Sequence, residues 1–134
     1  MTDAELLALA REARKNAYAP YSGFSVGAAL LAKNGKTYLG CNIENASFSP
    51  TVCAERVAFL KAVSEGEKDF RAIAIVGGRG ETTSPDVTPC GVCRQVMGEF
   101  CKGVFRILTE DRDGNPIVRI LSGLLPSPFG GRDA

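Results

Sequence analysis

The chain has 134 residues, of which 45% are hydrophobic, and its 16 basic and 15 acidic residues give a net charge of +1. This length and balance predict a single domain over residues 1–134, with a core large enough to fold. The absence of a broad basic field argues against nucleic acid as a partner, and the longest strongly apolar stretch is far below the roughly 18 residues that span a membrane.

The cysteine content is unusual, because there are five cysteines and no histidine. The first residues are acidic rather than the basic and then apolar run of a signal peptide, so we expect a cytoplasmic location. Thiols stay reduced there, which favours metal binding or catalysis over a disulfide framework. Without histidine, acid–base chemistry has to use Asp, Glu, Lys, Tyr or Cys.

The first half of the chain predicts one helix and an antiparallel pair of strands. A capping box that begins at Thr2, followed by apolar residues at helical spacing, predicts a helix over roughly residues 3–17. An apolar run predicts a buried strand over Phe24 to Ala32. Asn34-Gly35 has the composition of a tight hairpin turn, and Thr37 to Ile43 is the expected returning strand.

The second half alternates helices with strands. The predicted elements are a helix over about 52–65, a strand over 70–76, a long irregular loop over 77–89, a helix over 91–101, a strand over 104–108, and a last strand and half-turn over 117–125. This alternation predicts an α/β sandwich with a sheet of about five strands.

Two short cysteine motifs, each at the start of a predicted helix, carry the chemistry. The first is Cys53-Ala54-Glu55 and the second contains Cys90 and Cys93. A helix N-terminus lowers the pKa of a thiol and prepares it for a soft cation, for which zinc is the natural candidate. Three thiolates leave one coordination position open for a water molecule, and Glu55 is the obvious base for its proton.

Two other interpretations of the cysteines stay open at this point. A closed structural zinc site needs a fourth ligand, which Cys41 or Cys101 could supply and which would make the chain an interaction module rather than an enzyme. Both cysteines also suit the role of small buried apolar residues. A thioredoxin-like redox pair would leave Cys53 and Glu55 unexplained.

Five sequence blocks, in the right order and over nearly the whole chain, resemble the small homotetrameric, zinc-dependent cytidine deaminases. Two are the metal blocks, Thr51-Val52-Cys53-Ala54-Glu55-Arg56 and Pro89-Cys90-Gly91-Val92-Cys93-Arg94-Gln95-Val96. The other three are Pro20-Tyr21-Ser22-Gly23-Phe24, Gly40-Cys41-Asn42-Ile43-Glu44-Asn45 and Leu124-Leu125-Pro126-Ser127-Pro128-Phe129-Gly130.

This resemblance implies a fold, an activity and an assembly. The fold would be a three-layer α/β/α sandwich with a mixed sheet. The activity would be hydrolytic deamination of free cytidine and 2'-deoxycytidine to the uridines and ammonia, as in pyrimidine salvage, with one Zn²⁺ per chain and a homotetrameric assembly. A deaminase of the same fold that acts on another base or on a polynucleotide is the alternative, but it would need a basic groove and aromatic platforms.

The resemblance also implies roles for single residues at the metal. Cys53, Cys90 and Cys93 would be the zinc ligands, and Glu55 would be the catalytic proton shuttle. Three thiolates on a divalent ion leave a net negative charge that would make bound water a poor acid. Arg56 would offset that charge through hydrogen bonds to the ligand sulfurs.

Further residues are implied for substrate binding. Phe24 would pack against the pyrimidine, Asn42 and Glu44 would hold the ribose 3'-hydroxyl, and backbone groups around Ala54 would contact the cytosine edge. Phe129 would reach the pocket of a neighbouring subunit.

Two features depart from the family pattern. Phe48 stands where many relatives have tyrosine, and the loop from Arg79 to Thr88 looks longer than in many relatives.

Overall fold

The computed structural model describes residues 1–131, so the predicted domain limit at residue 134 lies outside the described residues. The elements in chain order are α1 (Asp3–Arg14), β1 (Phe24–Ala32), β2 (Thr37–Cys41), α2 (Ala54–Ser64), β3 (Phe70–Arg79), α3 (Gly91–Phe100), β4 (Arg106–Glu110), β5 (Pro116–Ile120) and α4 (Leu121–Leu124). None of the helices in this part of the chain has the length and apolarity needed to cross a membrane.

The five strands form one mixed sheet in the order β2-β1-β3-β4-β5. Only the β3–β4 pair is parallel, and the other neighbours are antiparallel. Helix α1 packs on one face of this sheet, and α2, α3 and α4 pack on the other. The predicted three-layer α/β/α sandwich with a mixed sheet is therefore confirmed.

Strand β1 contributes side chains to both layers of the core. Ala28 and Leu30 pack in the cluster with α2 and α3, whereas Ala29 packs with α1. This alternation follows from the two-residue period of a strand. Helix α1 approaches so closely that a Cβ on Gly27 would lie 2.0 Å from the carbonyl oxygen of Ala10.

Strand β3 is three residues longer than predicted. The predicted start of the following loop, at Gly77, is therefore wrong. Gly77 to Arg79 continue the strand and pair with β1 as far as Phe24. The glycines serve close packing here, because a Cβ on Gly78 would lie 2.2 Å from the Thr82 carbonyl oxygen. The irregular loop that leads to α3 therefore starts at Gly80.

Other boundaries move by two or three residues. Helix α1 ends at Arg14 rather than at residue 17, and β2 ends at Cys41, so Asn42 lies just beyond the strand. Strand β4 begins at Arg106 rather than at Val104 because its pairing with β3 starts there. The last predicted strand and half-turn are β5 and α4.

Candidate active site

The starts of α2 and α3 bring three cysteines together. Cys53 is the N-cap residue of α2, Cys90 is the N-cap residue of α3, and Cys93 lies in the first turn of α3. The Sγ of Cys90 lies 3.6 Å from the Sγ of Cys53 and 3.4 Å from the Sγ of Cys93. The backbone N–H of Cys93 also donates to the Sγ of Cys90, so this sulfur caps its own helix.

The donor set of this cluster fits a zinc ion. Sulfurs held about 2.3 Å from a tetrahedral ion lie about 3.8 Å from one another, and the three Sγ atoms lie within 4.8 Å of one another. Among residues 1–131, this is the one group of three or more potential ligands, and neither Cys41 nor Cys101 belongs to it. The arrangement is therefore a three-sulfur site rather than a closed four-cysteine site.

The cluster favours a thiolate at Cys53. Hydrogen bonding from the Cys93 thiol, assisted by Arg56, lowers the pKa of Cys53 to about 5. The same hydrogen bond, together with burial, raises the pKa of Cys93. Arg56 lies one helical turn from Cys53, and its Nη2 donates to the Cys53 Sγ over 3.5 Å. A guanidinium is thus built into the site opposite the negative sulfur.

Glu55 is the buried carboxyl of this site. It lies in the first turn of α2, only 4% of its surface is exposed, and it lines the same cavity as Cys53. Burial, reinforced by the neighbouring Cys53 charge, raises the pKa of Glu55 to about 7. A carboxyl with that pKa can both accept and release a proton near neutral pH.

A cavity of about 350 Å³ opens beside the sulfurs, within the size range of small-molecule sites. Seven of the residues singled out in the sequence line it: Phe24, Asn42, Glu44, Cys53, Ala54, Glu55 and Cys90. Three others do not line it: Cys93, which is buried, Arg56, which is half-buried, and Phe129, which is exposed. The structure therefore collects most of the predicted site residues around one space.

Asn42 and Glu44 are held rigidly at the rim of this cavity. The Oδ1 of Asn42 accepts from the Val26 backbone N–H at 2.8 Å, and its Nδ2 donates to the Phe24 carbonyl at 2.9 Å. The Glu44 carboxylate accepts from the hydroxyl and the backbone N–H of Ser22. These hydrogen bonds lower the pKa of Glu44, so it remains an anionic acceptor.

Phe129 does not line the cavity within its own chain. Its side chain is 86% exposed, while its backbone carbonyl accepts from Gln95 Nε2 at 3.0 Å. Phe48 is similarly exposed, at 85%. Both aromatic residues therefore face solvent in the single chain.

Seven residues that line the cavity were not predicted as site residues from the sequence: Ser22, Val26, Thr51, Val52, Ile75, Val87 and Thr88. Val26 lies two positions after Phe24 in β1, so the two-residue period of the strand was a signal that could have identified it. Val87 and Thr88 lie in the irregular loop before α3. A loop has no regular side-chain period, so its sequence does not indicate which side chains face the cavity.

Comparisons with known proteins agree with this site. A family model described as "Cytidine and deoxycytidylate deaminase zinc-binding region" matches residues 1–108. The chain is 48% identical to a cytidine deaminase of Sporosarcina psychrophila over 96% of this chain and 92% of that protein. It is also 48% identical to a cytidine deaminase of Halalkalibacterium halodurans over 96% of this chain and 94% of that protein.

A solved structure shows the same fold. The crystal structure of cytidine deaminase from Burkholderia pseudomallei aligns with a TM-score of 0.87 and 44% identity, and the alignment covers 96% of this chain and all of that one. The chain belongs to the cytidine and deoxycytidylate deaminase family. It is accordingly an enzyme, a hydrolytic deaminase, and an interaction module built on structural zinc is excluded as its class.

Proposed function

We propose that the chain deaminates free cytidine and 2'-deoxycytidine with water, yielding uridine or 2'-deoxyuridine and ammonia. The observation that carries this proposal is the placement of a buried carboxyl, Glu55, beside the three-sulfur cluster in one nucleoside-sized cavity. The similar proteins are named cytidine deaminases, which supports cytidine as the substrate. A role in pyrimidine salvage and a cytoplasmic location are parts of the same proposal.

The proposed metal is one Zn²⁺ per chain, held by Cys53, Cys90 and Cys93. When bound, zinc supplies a Lewis acid that makes a water molecule acidic enough to serve as a nucleophile near neutral pH. The hydrogen bond from Arg56 to the Cys53 sulfur withdraws negative charge from the ligand set. Arg56 thereby keeps the three thiolates from weakening that Lewis acid.

Glu55 moves the protons. Deamination moves both protons of the water: one is passed to the ring nitrogen N3, and the other leaves the oxygen after it has bonded to C4 and is passed to the departing amine. A carboxyl with a pKa of about 7 is suited to each transfer in turn, because neither protonation state is strongly favoured at neutral pH. Its burial keeps bulk water from competing for the proton.

The other cavity residues bind the nucleoside. Phe24 packs against the pyrimidine, and backbone groups around Ala54 contact the cytosine edge together with Glu55. Asn42 and Glu44 hold the 3'-hydroxyl, which ribose and deoxyribose share. Asn42 keeps one N–H, and Glu44, which also accepts from the Tyr21 backbone N–H, keeps one lone pair on Oε2, so both retain capacity for a ligand.

We further propose a homotetramer in which Phe129 of one chain completes the pocket of a neighbour. The exposure of Phe48 and Phe129 supports this assembly. A single chain would leave both aromatic rings in water, whereas a neighbouring subunit would bury them.

The test is the rate of ammonia release from five substrates, expressed as kcat/KM. Cytidine and deoxycytidine should both react. Cytidine 5'-monophosphate and a short single-stranded oligonucleotide should react poorly, because a phosphate near the Glu44 carboxylate is repelled and costly to desolvate. Cytosine should also react poorly, because it lacks the sugar whose binding positions the ring. The proposal fails if the monophosphate or the oligonucleotide matches the nucleoside.

A further inference from the structure

The loop between β3 and α3 contains an aspartate in an unusual backbone conformation. Asp86 has a φ of +53°, and it is the one non-glycine residue with a positive φ among residues 1–131. Aspartate and asparagine tolerate this left-handed region better than most residues. Such a conformation persists where surrounding contacts hold it in place.

Those contacts tie Asp86 to the last two strands. Arg119 of β5 donates from Nη1 and Nη2 to the two carboxylate oxygens at 2.6 and 2.7 Å. The hydroxyl of Thr109, a fully buried β4 residue, donates to Oδ1 at 2.7 Å. The backbone N–H of Asp86 donates to the Glu110 carbonyl at 2.8 Å. We call Asp86, Thr109 and Arg119, joined in this way, the Asp86 clamp.

The residues that follow the clamp form one wall of the cavity. Val87 and Thr88 both line it, and Cys90 comes two positions later. The side chains of Phe24, Val26 and Val87 converge above Gly77, since an atom of each lies within 3.2 Å of the point where a Cβ on Gly77 would stand. Asp86 therefore immediately precedes the residue that packs against the expected pyrimidine platform.

We propose that Asp86 is a positioning residue for the active site, with its clamp placing Val87 and Thr88 against Phe24. This inference rests on the proposed function, because it assumes that the cavity binds the nucleoside. The Asp86–Arg119 pair is about one-third exposed on each side, and such pairs contribute little to overall stability. Its effect is therefore expected mainly in substrate binding.

The chain offers a matched control for this clamp. Arg106 makes the same two-point contact with Asp3, at 2.9 and 2.8 Å, on a similarly exposed pair. Neither Arg106 nor Asp3 lines the cavity. Each of the variants Arg119→Ala and Arg106→Ala thus loses one two-point ion pair. Only Arg119, however, contacts the segment that leads into the site.

The first measurement is the separation of KM from kcat for cytidine. Arg119→Ala and Asp86→Gly should each raise KM about tenfold with a smaller change in kcat, because a displaced wall weakens the fit of the ring. The glycine variant tolerates the positive φ without strain and removes the side chain that forms the clamp. Asp86→Asn should recover part of the loss, since asparagine tolerates a positive φ and keeps an acceptor for Thr109. Arg106→Ala should leave KM unchanged to within about twofold.

The second measurement is hydrogen exchange of amides in residues 84–90, which does not depend on catalysis. Arg119→Ala and Asp86→Gly should accelerate it, and Arg106→Ala should not. A KM at the wild-type value in both clamp variants would overturn the proposal, whether or not exchange becomes faster. An equal KM change in Arg106→Ala would overturn it as well. If the unaltered chain failed to deaminate cytidine, the proposed function would fall, and the exchange comparison alone would decide whether Asp86 orders this segment.

Discussion

The Sγ atoms of Cys53 and Cys90 lie 3.6 Å apart, although the two residues are 37 positions apart in the chain. Each cysteine is the N-cap residue of a helix, and both helices pack on the same face of the sheet. At the start of α3 the backbone N–H of Cys93 donates to the Cys90 sulfur, whereas at the start of α2 the Cys53 sulfur accepts from the Arg56 side chain. The metal chemistry thus depends on a contact between two helix starts.

We expect one zinc per chain, and Cys93→Ser should reduce the bound zinc severely because a two-sulfur site cannot hold the ion as tightly. Elemental analysis of protein purified without added metal measures this directly. Cys41→Ser is the matched control and should keep the full metal content, since Cys41 lies outside the cluster. Fully active enzyme with far less than one zinc per chain would contradict the assignment.

Glu55→Gln should retain zinc and fold but lose activity by at least about 10² to 10⁴ in kcat, the usual range for removing a general acid–base group. Stopped assays of ammonia release, combined with metal analysis of the same sample, test this. Glu65→Gln, at the exposed C-terminal end of the same helix, should stay near the wild-type rate. Near-normal turnover by the zinc-loaded Glu55 variant would show that another group moves the proton.

Glu44→Gln should weaken binding of nucleosides that carry a 3'-hydroxyl. Hydrogen bonds to charged groups are worth about 1.5–3 kcal/mol, so KM for cytidine should rise about 10- to 100-fold. The same substitution should change KM for 3'-deoxycytidine much less, because that substrate lacks the group being held. An equal rise in KM for the two substrates would show that Glu44 does not bind the 3'-hydroxyl.

Gly27→Ala should be strongly destabilising, by about 1–3 kcal/mol or more, because the new methyl group would meet the backbone of α1. The nearest obstacle is the Ala10 carbonyl oxygen, 2.0 Å from the Cβ position. Gly123→Ala, where nothing lies within 4 Å of the Cβ, should change stability by less than about 0.5 kcal/mol. Urea denaturation of the two variants makes the comparison, and similar midpoints would argue against the close α1–β1 contact.

The Asp3–Arg106 ion pair should stabilise the fold in a pH-dependent manner. Its hydrogen bond holds the pKa of Asp3 below the ordinary value, so the folded state binds the proton less readily than the unfolded state. The contribution is therefore fully present above the ordinary aspartate pKa and is lost as pH falls through the lowered value. Because the pair is partly exposed, we expect only about 0.5–1 kcal/mol at pH 7.

Arg106→Ala measures that contribution as a difference in unfolding free energy from the wild type. The difference should shrink steadily when denaturation is repeated at about pH 3 and below. Arg112→Ala, on an exposed turn, provides the comparison for loss of a positive charge alone. A difference that grows in acid would contradict a lowered pKa for Asp3 in the folded state.

Local features of the sequence were sufficient to predict much of this enzyme. The capping box at Thr2 and the hairpin turn at Asn34-Gly35 depend on residues only a few positions apart, and both occur in the structure. The spacing of Cys90 and Cys93 is equally local, because two residues three apart lie on one side of a helix start. Strand and helix types followed from periodicity, which reflects which side of an element faces the core.

Other features were decided only by the tertiary structure, because they depend on contacts between distant segments. The extension of β3 through Gly77 and Gly78 depends on the approach of Phe24 and Thr82, whereas glycines in isolation indicate a turn. The raised pKa of Glu55 depends on burial by the surrounding layers, which no local pattern reports. Residues distant in the chain exclude water from a buried carboxyl, and they leave no room for a Cβ where two backbone segments pack closely. Both effects therefore exist only once the chain is folded.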